Sequence, residues 1–486
     1  MTGEMTRRSA LQAGAAAAGF AALPGRAAGA DGEGALARRL RDLCDRLARE
    51  EGFSGVCRLM RGERTLFQRA YGLRNRGEGL PNTPGTRFNV ASVGKMFTAL
   101  GILRFVEAGR LRLEGRLIEA WPDYPDRAVA ERITLEQVLT HSAGLGNHVM
   151  FKPKAGFTSA STQTESLRLF AGEGLAGEPG VTAYSNDGYV LLGALIERLA
   201  GRDYREHCRE TIFAPLGMRN TGIHAIDEIV PNLAVPYVRD LPRPGVWRAA
   251  VSTDGVSGGA AGGGYSTVGD LARFGAAMRA GRLLSPALTR AWTLGRVPFR
   301  SGQYGYGVQV ETINGVRLYG HTGGHHGVAA ELLVVEPTDL VFVVLSNGEV
   351  EPYWALADFI RTSVAGESDG SRNYAFTRQL IARTAAAGAD AGLAMAAASP
   401  DRRPREGVID TYAMRAWHEG DAALAENLLR FNLRQFPDSL SALWSLAEFY
   451  RFARRNAEAV AAYRAFLERQ PDDAEALGYI ARLDGR

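Results

Sequence analysis

A serine and a lysine three residues apart could carry out nucleophilic catalysis in this chain of 486 residues. The chain has 57 basic side chains, yet lysine occurs only as Lys95, Lys152 and Lys154. Lys95 follows Ser92, and the apolar residues after it recur at helical spacing, so both side chains lie on one face of a predicted helix start. Arginine stays protonated in proteins, whereas a desolvated lysine can become neutral and take the proton of a serine hydroxyl. This is the Ser-x-x-Lys arrangement of acyl-transfer enzymes.

The same four letters also have an ordinary structural explanation. Ser92 could cap the N-terminus of the helix while Lys95 lies on its surface. Short motifs often match by chance, so the catalytic interpretation depends on further residues of fitting chemistry elsewhere in the chain.

A tyrosine and an asparagine, Tyr184 and Asn186, stand just ahead of an apolar helix predicted over 188–199. Ordinary helix capping by the polar residues of this segment is the simpler interpretation. In the catalytic interpretation, a phenol close to the serine–lysine pair relays a proton to the leaving group. Asn186 would then hold the lysine and a substrate carbonyl by hydrogen bonds.

A third segment, His321-Thr322-Gly323-Gly324, is predicted to end a strand. Paired glycines also suit a plain strand-to-turn transition, because they tolerate positive φ. In the functional interpretation the strand edge lines the site. The backbone N–H groups of Gly324 and Ser92 would then form an oxyanion hole.

With Ser-x-x-Lys, Tyr-Ser-Asn and His-Thr-Gly in this order, the sequence resembles the penicillin-recognising serine hydrolases. That family includes class C β-lactamases, D-alanyl-D-alanine carboxypeptidases, D-amino-acid peptidases and related esterases. Residues 139–145, 215–218 and 263–267 resemble the same family. The resemblance extends over about 52–348, and three motifs in order are far more specific than one.

The resemblance implies a role for each of these residues. Ser92 attacks the carbonyl and becomes acylated, Lys95 is the base for that step, and Tyr184 shuttles protons and helps to activate the deacylating water. Asn186 positions the substrate and the lysine. The substrate-flanking strand would be formed by His321, Thr322, Gly323 and Gly324. The acyl-enzyme divides one difficult displacement into two easier ones.

Two departures from the family pattern affect the expected substrate. β-Lactamases of this kind usually have a lysine where this chain has His321, and Gly324 offers no hydroxyl for a substrate carboxylate. A peptidase or esterase acting on D-amino-acid peptides or small esters is therefore expected ahead of a class C-like β-lactamase. A histidine at this position is also expected to make turnover depend on pH near neutrality.

No metal or cofactor is expected, since serine chemistry needs neither. His321, His325 and His326 lie close together in the sequence, but their spacing matches no strong metal-binding pattern. A hypothesis from another class is a non-catalytic scaffold that presents a helical module to a protein partner. The intact Ser92, Lys95 and Tyr184 argue against it, because a scaffold has no need of them.

The net charge argues against nucleic acid as a partner, and the N-terminal sequence predicts export of the chain. The formal net charge is only +4, which is too small to indicate nucleic-acid binding. Arg7 and Arg8 precede an alanine-rich apolar stretch and a small-x-small site at 28–30, so residues 1–30 are predicted to be a twin-arginine-type export signal. A membrane anchor is the alternative, but the stretch is short and no stable membrane span is expected after cleavage. The chain is thus expected to be periplasmic or secreted.

The cysteines Cys44, Cys57 and Cys208 are odd in number, which argues against a disulfide framework. Buried thiols are expected, because free cysteine behaves as a small core residue. A Cys44–Cys57 bridge is the alternative in an oxidising compartment.

Hydrophobic patterning predicts an α+β domain over 31–365, with an antiparallel sheet flanked by helices and a helical subdomain. Strands open and close this domain, so its two ends must meet in one sheet. A helix is predicted over 35–50, followed by a hairpin. The strands are predicted over 55–60, 65–71, 304–311, 316–321, 328–335 and 340–346.

The last third of the chain has a different pattern. Residues 366–405 are rich in Ala, Gly, Ser, Asp and Arg and are predicted to be a linker with some helix. Over 406–486, Pro437-Asp438 recurs 34 residues later as Pro471-Asp472. This period resembles the tetratricopeptide repeat, and a plain helical cap is the alternative. Because so few repeats bury little apolar surface by themselves, the module is expected to pack on the catalytic domain or on a protein partner.

Overall fold

The structure is a computed structural model that describes residues 30–148, 161–224, 228–250 and 259–483. The predicted export signal, residues 1–30, lies outside this part of the chain except for its last residue.

Within the described residues, the largest sheet has eight antiparallel strands in the order β2-β1-β14-β13-β12-β11-β10-β9. The first and last strands of the domain are neighbours, with Gly55 opposite Ser346 and Arg61 opposite Leu340. The prediction that the two ends meet in one sheet is therefore confirmed. The strands are β1 (Gly55–Arg61), β2 (Arg64–Tyr71), β9 (Val297–Phe299), β10 (Gly302–Tyr304), β11 (Gln309–Ile313), β12 (Val316–His325), β13 (Val328–Val335) and β14 (Leu340–Ser346).

Two strand predictions were wrong in their limits. The strand predicted over 304–311 is broken into β10 and β11, because Gly307 adopts φ 68° and lies so close to Ala99 that a Cβ there would be 2.7 Å from the alanine methyl. The His321–Gly324 motif does not end a strand either, since β12 continues to His325. Three short strand pairs complete the β structure: β3 (Leu73–Asn75) with β4 (Leu80–Pro81), β5 (Phe88–Asn89) with β8 (Tyr265–Ser266), and β6 (Tyr237–Arg239) with β7 (Trp247–Ala249).

Strand alternation sends the side chains of the sheet into two separate cores. On β14, Val341, Val343 and Leu345 join the core beneath the helical subdomain, whereas Leu340, Phe342 and Val344 join a core on the opposite face. That opposite face is covered by two helices, α1 (Ala30–Glu50) and α11 (Glu351–Ala365). In the sequence, α1 precedes the first strand of the sheet and α11 follows the last.

The helical subdomain is inserted between β5 and β9 and covers the first face of the sheet. Its central pair, α2 (Lys95–Glu107) and α7 (Asn186–Ala200), pack on each other, while α9 (Val268–Arg279) packs on β1, β13 and β14. The others are α3 (Leu117–Ala120), α4 (Arg127–Ala130), α5 (Leu135–Leu139), α6 (Gln163–Arg168), α8 (Tyr204–Cys208) and α10 (Pro286–Thr293), with a π turn at Arg209–Phe213.

Residues 366–405 are not a linker. They form α12 (Asp369–Ala387) and α13 (Ala389–Ala397), and Tyr374, Leu380 and Ile381 are buried in one core with the C-terminal helices. Composition misled the prediction, because a helix rich in alanine needs only a few large apolar residues to be anchored.

The C-terminal helices repeat with the predicted period. They are α14 (Glu406–His418), α15 (Ala422–Gln435), α16 (Leu440–Phe452), α17 (Asn456–Leu467) and α18 (Ala474–Leu483), so that successive equivalent helices begin 34 residues apart. α14 packs on α15 and α16 packs on α17 as helix pairs. The tetratricopeptide identity of the repeat stays a prediction.

The helical module docks on the α+β domain through Glu51, which follows α1. The Glu51 side chain is 5% exposed and accepts hydrogen bonds from Arg378 at 2.9 Å and from the Tyr412 hydroxyl at 2.6 Å. Arg415 lies 3.6 Å away. A second contact is made by Trp417, whose indole N–H donates to the Leu241 carbonyl at 2.7 Å.

All three cysteines lie in the described part of the chain and are buried and unpaired, as the sequence predicts. Burial raises the pKa of the Cys57 thiol well above its usual value, and a hydrogen bond with Cys44 raises it further. No helix in the described ranges is both long and apolar enough to cross a membrane.

Replacing Glu51 by glutamine should weaken the docking of the helical module. The substitution removes the charge that two arginines share, and we expect the free energy of unfolding to fall by about 2 kcal/mol. Urea unfolding of the full chain measures this change. Glu50→Gln is the matched control: its carboxylate is half exposed beside Arg49, so its loss should cost less than about 0.5 kcal/mol. Equal effects of the two substitutions would contradict the docking role of Glu51.

Candidate active site

Ser92 lies in a tight 3₁₀ turn, Ala91–Gly94, which runs directly into α2 at Lys95. Ala91 adopts φ 44°, a conformation that costs an L-residue about 1 kcal/mol. Two hydrogen bonds hold it there: its N–H donates to Asn89 Oδ1 at 2.8 Å, and its carbonyl accepts from the Gly263 N–H at 3.1 Å. The turn therefore presents the half-buried Ser92 at the start of the helix, with Lys95 on the same face as predicted.

Lys95 is fully buried, and its amine has three oxygen neighbours. The Nζ atom lies 3.2 Å from Ser92 Oγ and 2.7 Å from Asn186 Oδ1, and it also contacts the Ala261 carbonyl. It lies 4.8 Å from the centre of the Tyr184 ring. The surface-lysine alternative is therefore excluded for this residue.

Burial lowers the pKa of Lys95 well below the usual lysine value, and no carboxylate in the described part of the chain opposes the effect. The hydrogen bonds of the neutral amine also determine where its lone pair points. The Asn186 amide oxygen and the Ala261 carbonyl can only accept, so they take the two N–H bonds of a neutral amine. The lone pair is then left for the third neighbour, the Ser92 hydroxyl. This arrangement can remove the proton from the serine.

Tyr184 is half-buried beside this pair. Burial raises the pKa of its phenol above the usual range, while a hydrogen bond to Ser92 and the charge of Arg300 oppose part of the rise. The phenol is thus protonated at rest, next to the oxygen that would attack the substrate. A group in that state can donate a proton to a leaving group.

The turn that carries Tyr184 is fixed at the start of α7. Ser185 is the helix N-cap, since its Oγ accepts from the Gly188 N–H at 3.0 Å, and this confirms the capping interpretation for that residue. Asn147 holds both neighbours: its side chain donates to the Tyr184 carbonyl at 2.5 Å and accepts from the Asn186 N–H at 2.7 Å. The Asn186 side chain accepts a hydrogen bond from Lys95, so capping by Ser185 and the catalytic placement of Asn186 coexist.

His321 is 2% exposed and lies inside the site as a neutral ring. Tyr304 donates its hydroxyl to Nε2 at 2.8 Å, and Nδ1 donates to the Thr322 carbonyl at 2.5 Å. Burial, together with the neighbouring charge of Lys95, lowers the pKa of His321 to about 3. The expectation that this histidine makes turnover depend on pH near neutrality is therefore wrong, because the ring does not titrate there.

Two glycines let backbone segments close on the nucleophile. A Cβ on Gly323 would lie 2.6 Å from the Val90 carbonyl and 2.9 Å from Ser92 N, and one on Gly262 would lie 2.7 Å from the Ala91 carbonyl. Strand β12 and the glycine-rich segment thus flank the Ser92 turn. Gly324 is exposed and has more space, with its nearest neighbour, the Val328 carbonyl, 3.4 Å from a Cβ.

Thr322 alternates with His321 along β12 and stands opposite Glu331. Its hydroxyl donates to Gln309 Oε1 at 3.1 Å. The structure thus brings together Ser92, Lys95, Tyr184, Asn186, His321 and Gly323, while Thr322 and Gly324 continue the adjoining strand edge. Within the described residues, no group of three or more His, Cys, Asp or Glu side chains is arranged to hold a metal ion.

Sequence reasoning missed Asn147, Tyr304 and the carbonyl of Ala261. A backbone acceptor leaves no signature in residue type, and only the glycine-rich composition around Ala261 could have drawn attention to it. Tyr304 and Asn147 lie far along the chain from the residues that they hold, so no local spacing connects them.

Comparison with known proteins shows which family and which chains this protein resembles. Residues 40–366 match the family described as Beta-lactamase. The chain is 28% identical over 326 residues to penicillin-binding protein 4 of Amycolatopsis lactamdurans, covering 63% of this chain and 84% of that protein. It is 29% identical over 223 residues to the esterase EstB of Burkholderia gladioli, covering 43% of this chain and 56% of the esterase. The D-amino acid amidase from Ochrobactrum anthropi SV3 complexed with D-phenylalanine has a TM-score of 0.58 at 26% identity, covering 68% of this chain and 99% of the amidase.

The pH dependence of kcat/KM should survive the loss of His321. Activity should rise with pH as Lys95 loses its proton, while a ring with a pKa of about 3 stays neutral and exerts no charge on the amine. We expect His321→Asn to lower kcat but to leave the midpoint of the acid limb unchanged. Ester hydrolysis between pH 5 and 9 measures this, with the exposed His326→Asn as a control. A midpoint that moves only in His321→Asn would assign the titration to His321.

The adjacent residues Gly323 and Gly324 allow a test of the close approach of β12 to the Ser92 turn. Gly323→Ala should force β12 away from the Ser92 turn and lower kcat roughly a hundredfold, a loss on the scale that small displacements of a reacting group produce. Gly324→Ala retains its N–H and has space for the methyl group, so it should lose far less. Thermal unfolding of both variants shows whether the fold is intact. Similar losses in the two variants would argue against the close approach as the cause.

Proposed function

The chain belongs to the beta-lactamase family of serine hydrolases, and on this premise we propose that it hydrolyses D-amino-acid peptides or small esters through an acyl-enzyme on Ser92. The observation that carries the proposal is the burial of Lys95 3.2 Å from the serine hydroxyl, with no carboxylate partner among the residues that the structure describes. A surface lysine could not serve, because it would stay protonated at neutral pH.

Acylation uses the neutral amine as a base. Ser92 Oγ attacks the substrate carbonyl carbon, and its proton passes to Lys95 Nζ. The carbonyl oxygen becomes an oxyanion, which the backbone N–H groups of Ser92 and Gly324 would stabilise. As the intermediate collapses, the bond to the leaving group breaks and the leaving group takes the Tyr184 proton. Tyr184 is reprotonated from Lys95, which is neutral again.

Deacylation reverses the proton path. Water attacks the ester carbonyl of the acylated Ser92 and gives up a proton through Tyr184 and Lys95. The serine oxygen then leaves and regains its hydrogen, and the carboxylic acid product departs. Because burial raises the pKa of Tyr184, we assign the phenol a relay role and not that of a resting phenolate base.

The proposed choice of substrate follows from the neutral state of His321 on β12. The names of the similar proteins include an esterase and a D-amino acid amidase, which suit ester or amide substrates. A class C-like β-lactamase remains the alternative, but His321 is uncharged here and so offers no positive charge to a β-lactam carboxylate.

Two further parts of the proposal concern the ends of the chain. We infer export through the twin-arginine-type signal at 1–30, which the sequence pattern supports. We also infer that the helical module over 406–486 binds a protein partner: it is anchored at Glu51, and α18 exposes Leu477 in its first turn.

Removing the nucleophile and changing the base test the mechanism separately. Ser92→Ala should reduce ester turnover roughly a thousandfold or more, and Lys95→Arg should do nearly the same because arginine keeps its proton. Nitrophenyl acetate hydrolysis measures turnover, and intact-protein mass after quenching detects the acyl group on the enzyme. Ser285→Ala, which changes an exposed serine with no capping hydrogen bond, is the control.

The same measurements can contradict the proposal. A wild-type rate of acylation in Lys95→Arg would remove the lysine from the base role. Acylation that persists in Ser92→Ala would place the nucleophile elsewhere.

A further inference from the structure

His141 is a buried histidine beside Tyr184 that the mechanism above does not use. The residue is 1% exposed, and its backbone adopts φ 60°, a left-handed conformation in which histidine and asparagine are enriched among the residues other than glycine. Burial lowers the pKa of its ring well below the usual histidine value, and the charge of Lys95 lowers it further. The ring is therefore neutral near pH 7.

The hydrogen bonds of His141 hold the residues on both sides of Tyr184. Its carbonyl accepts from the Ala183 N–H at 2.8 Å, and its Nδ1 accepts from the Ser185 N–H at 3.1 Å. Because Nδ1 is the acceptor, the proton of the neutral ring is on Nε2, a buried atom with no hydrogen-bond partner in the described part of the chain. These two bonds fix the backbone on either side of the phenol.

The imidazole ring also packs directly on the phenol ring. The centres of the His141 and Tyr184 rings are 4.1 Å apart, whereas the Phe299 and Tyr304 rings lie 5.9 Å and 6.3 Å from that of Tyr184. The imidazole is itself held, since its centre lies 4.5 Å from the Tyr304 ring and 5.0 Å from the Tyr189 ring. It thus forms a fixed surface against which the phenol rests.

The direction of the Tyr184 hydroxyl depends on this surface. With the backbone at 183–185 fixed, only the two side-chain torsions of the tyrosine remain, and the neighbouring rings decide between their values. Proton donation is sensitive to the outcome, because a displacement of about 1 Å at a reacting group can cost roughly a hundredfold in rate. The contact at 4.1 Å is the closest of the three ring contacts, so its removal should disturb the hydroxyl most.

We propose that His141 is a positioning residue whose ring holds the Tyr184 phenol in line to protonate the leaving group. His141 acts through Tyr184 and does not itself exchange a proton with the substrate. This inference rests on the proposed function, in which Ser92 is acylated and Tyr184 gives its proton to the departing oxygen.

Two esters with the same acyl group and different leaving groups test the inference. Phenyl acetate releases a phenol as basic as tyrosine, which needs the proton as its bond breaks, whereas 4-nitrophenyl acetate releases a much weaker base and needs it less. The readout is the ratio of kcat/KM for the nitrophenyl ester to kcat/KM for the phenyl ester. Both esters are measured on one sample, so the ratio does not depend on how much of a variant is folded.

Two substitutions separate the ring of His141 from its hydrogen bond. His141→Asn keeps an acceptor for the Ser185 N–H and suits the left-handed backbone, but it removes the ring. We expect it to raise the ratio about tenfold, because the phenyl ester loses more than the nitrophenyl ester does. His141→Phe keeps a ring against Tyr184 and removes the acceptor, so it should be less stable to heat and yet keep a ratio near that of the wild type.

His207→Asn is the matched control. His207 is also buried, its ring also packs on an aromatic ring, that of Phe105 at 5.7 Å, and its Nε2 likewise has no partner among the described residues. Burial lowers its pKa to about 4, so this ring is neutral as well. Its loss should lower the melting temperature and leave the ratio unchanged.

Tyr184→Phe shows whether His141 acts through the phenol. This variant should raise the ratio at least as much as His141→Asn does. The double variant should show no further rise, because residues that act as a unit are not additive. A further tenfold rise in the double variant would give His141 an effect independent of Tyr184 and would overturn the proposal.

The remaining outcomes distinguish the inference from the proposed function. If hydrolysis depends on Ser92 but His141→Asn keeps the wild-type ratio, or if His141→Phe or His207→Asn raises the ratio as much as His141→Asn does, the positioning role is overturned and the hydrolase function stands. If Tyr184→Phe leaves the ratio unchanged, the phenol is not the donor and the role of His141 fails alone. If the wild type hydrolyses neither ester, the proposed function fails and this inference fails with it.

Discussion

The rest of this site depends on one constraint: the Lys95 amine is held in the core, and none of the described residues gives it a carboxylate partner. Such a group is stable there only when it sheds its proton, and it then needs acceptors for its remaining N–H bonds. Asn186 and the Ala261 carbonyl are placed as those acceptors, from a helix start and a glycine-rich segment. Had an aspartate stood in either place, Lys95 would be held as an ammonium ion and Ser92 would lose its base.

The strained backbone of Ala91 and the close approach of two glycines to the Ser92 turn maintain this arrangement. Ala91 remains at φ 44° because its N–H and carbonyl are both bonded, and the turn is enclosed between Gly262 and Gly323. The turn cannot relax without breaking contacts to two segments that are distant in sequence, the glycine-rich segment at Gly262 and Gly263 and strand β12 at Gly323. The long-range pairing of β1 with β14 closes the sheet on which β12 depends, so the fold as a whole keeps the nucleophile in place.

Local pattern was enough to predict the hairpin, the last two strands and the face shared by Ser92 and Lys95, because each depends on periodicity within a few residues. Local pattern also pointed to Tyr184 and Asn186, although helix capping could explain the same segment of sequence. It failed for Asn147, Tyr304 and the Ala261 carbonyl, whose placement depends on tertiary contacts. It also failed for 366–405, where a few buried residues such as Leu380 and Ile381 outweigh a composition typical of linkers.

The histidine on β12 shows why residue type alone is a poor guide to charge. An exposed imidazole would titrate near neutrality, but His321 is enclosed, accepts from Tyr304 and donates to its own strand. Both ring nitrogens are used in the neutral state, and a second proton would displace the Tyr304 hydroxyl hydrogen bond inside a core next to Lys95. Protonation is thus opposed by desolvation, by the lost hydrogen bond and by the adjoining amine whenever that is charged. The strand therefore contributes shape and hydrogen bonds to the site, and His321 adds no positive charge to it.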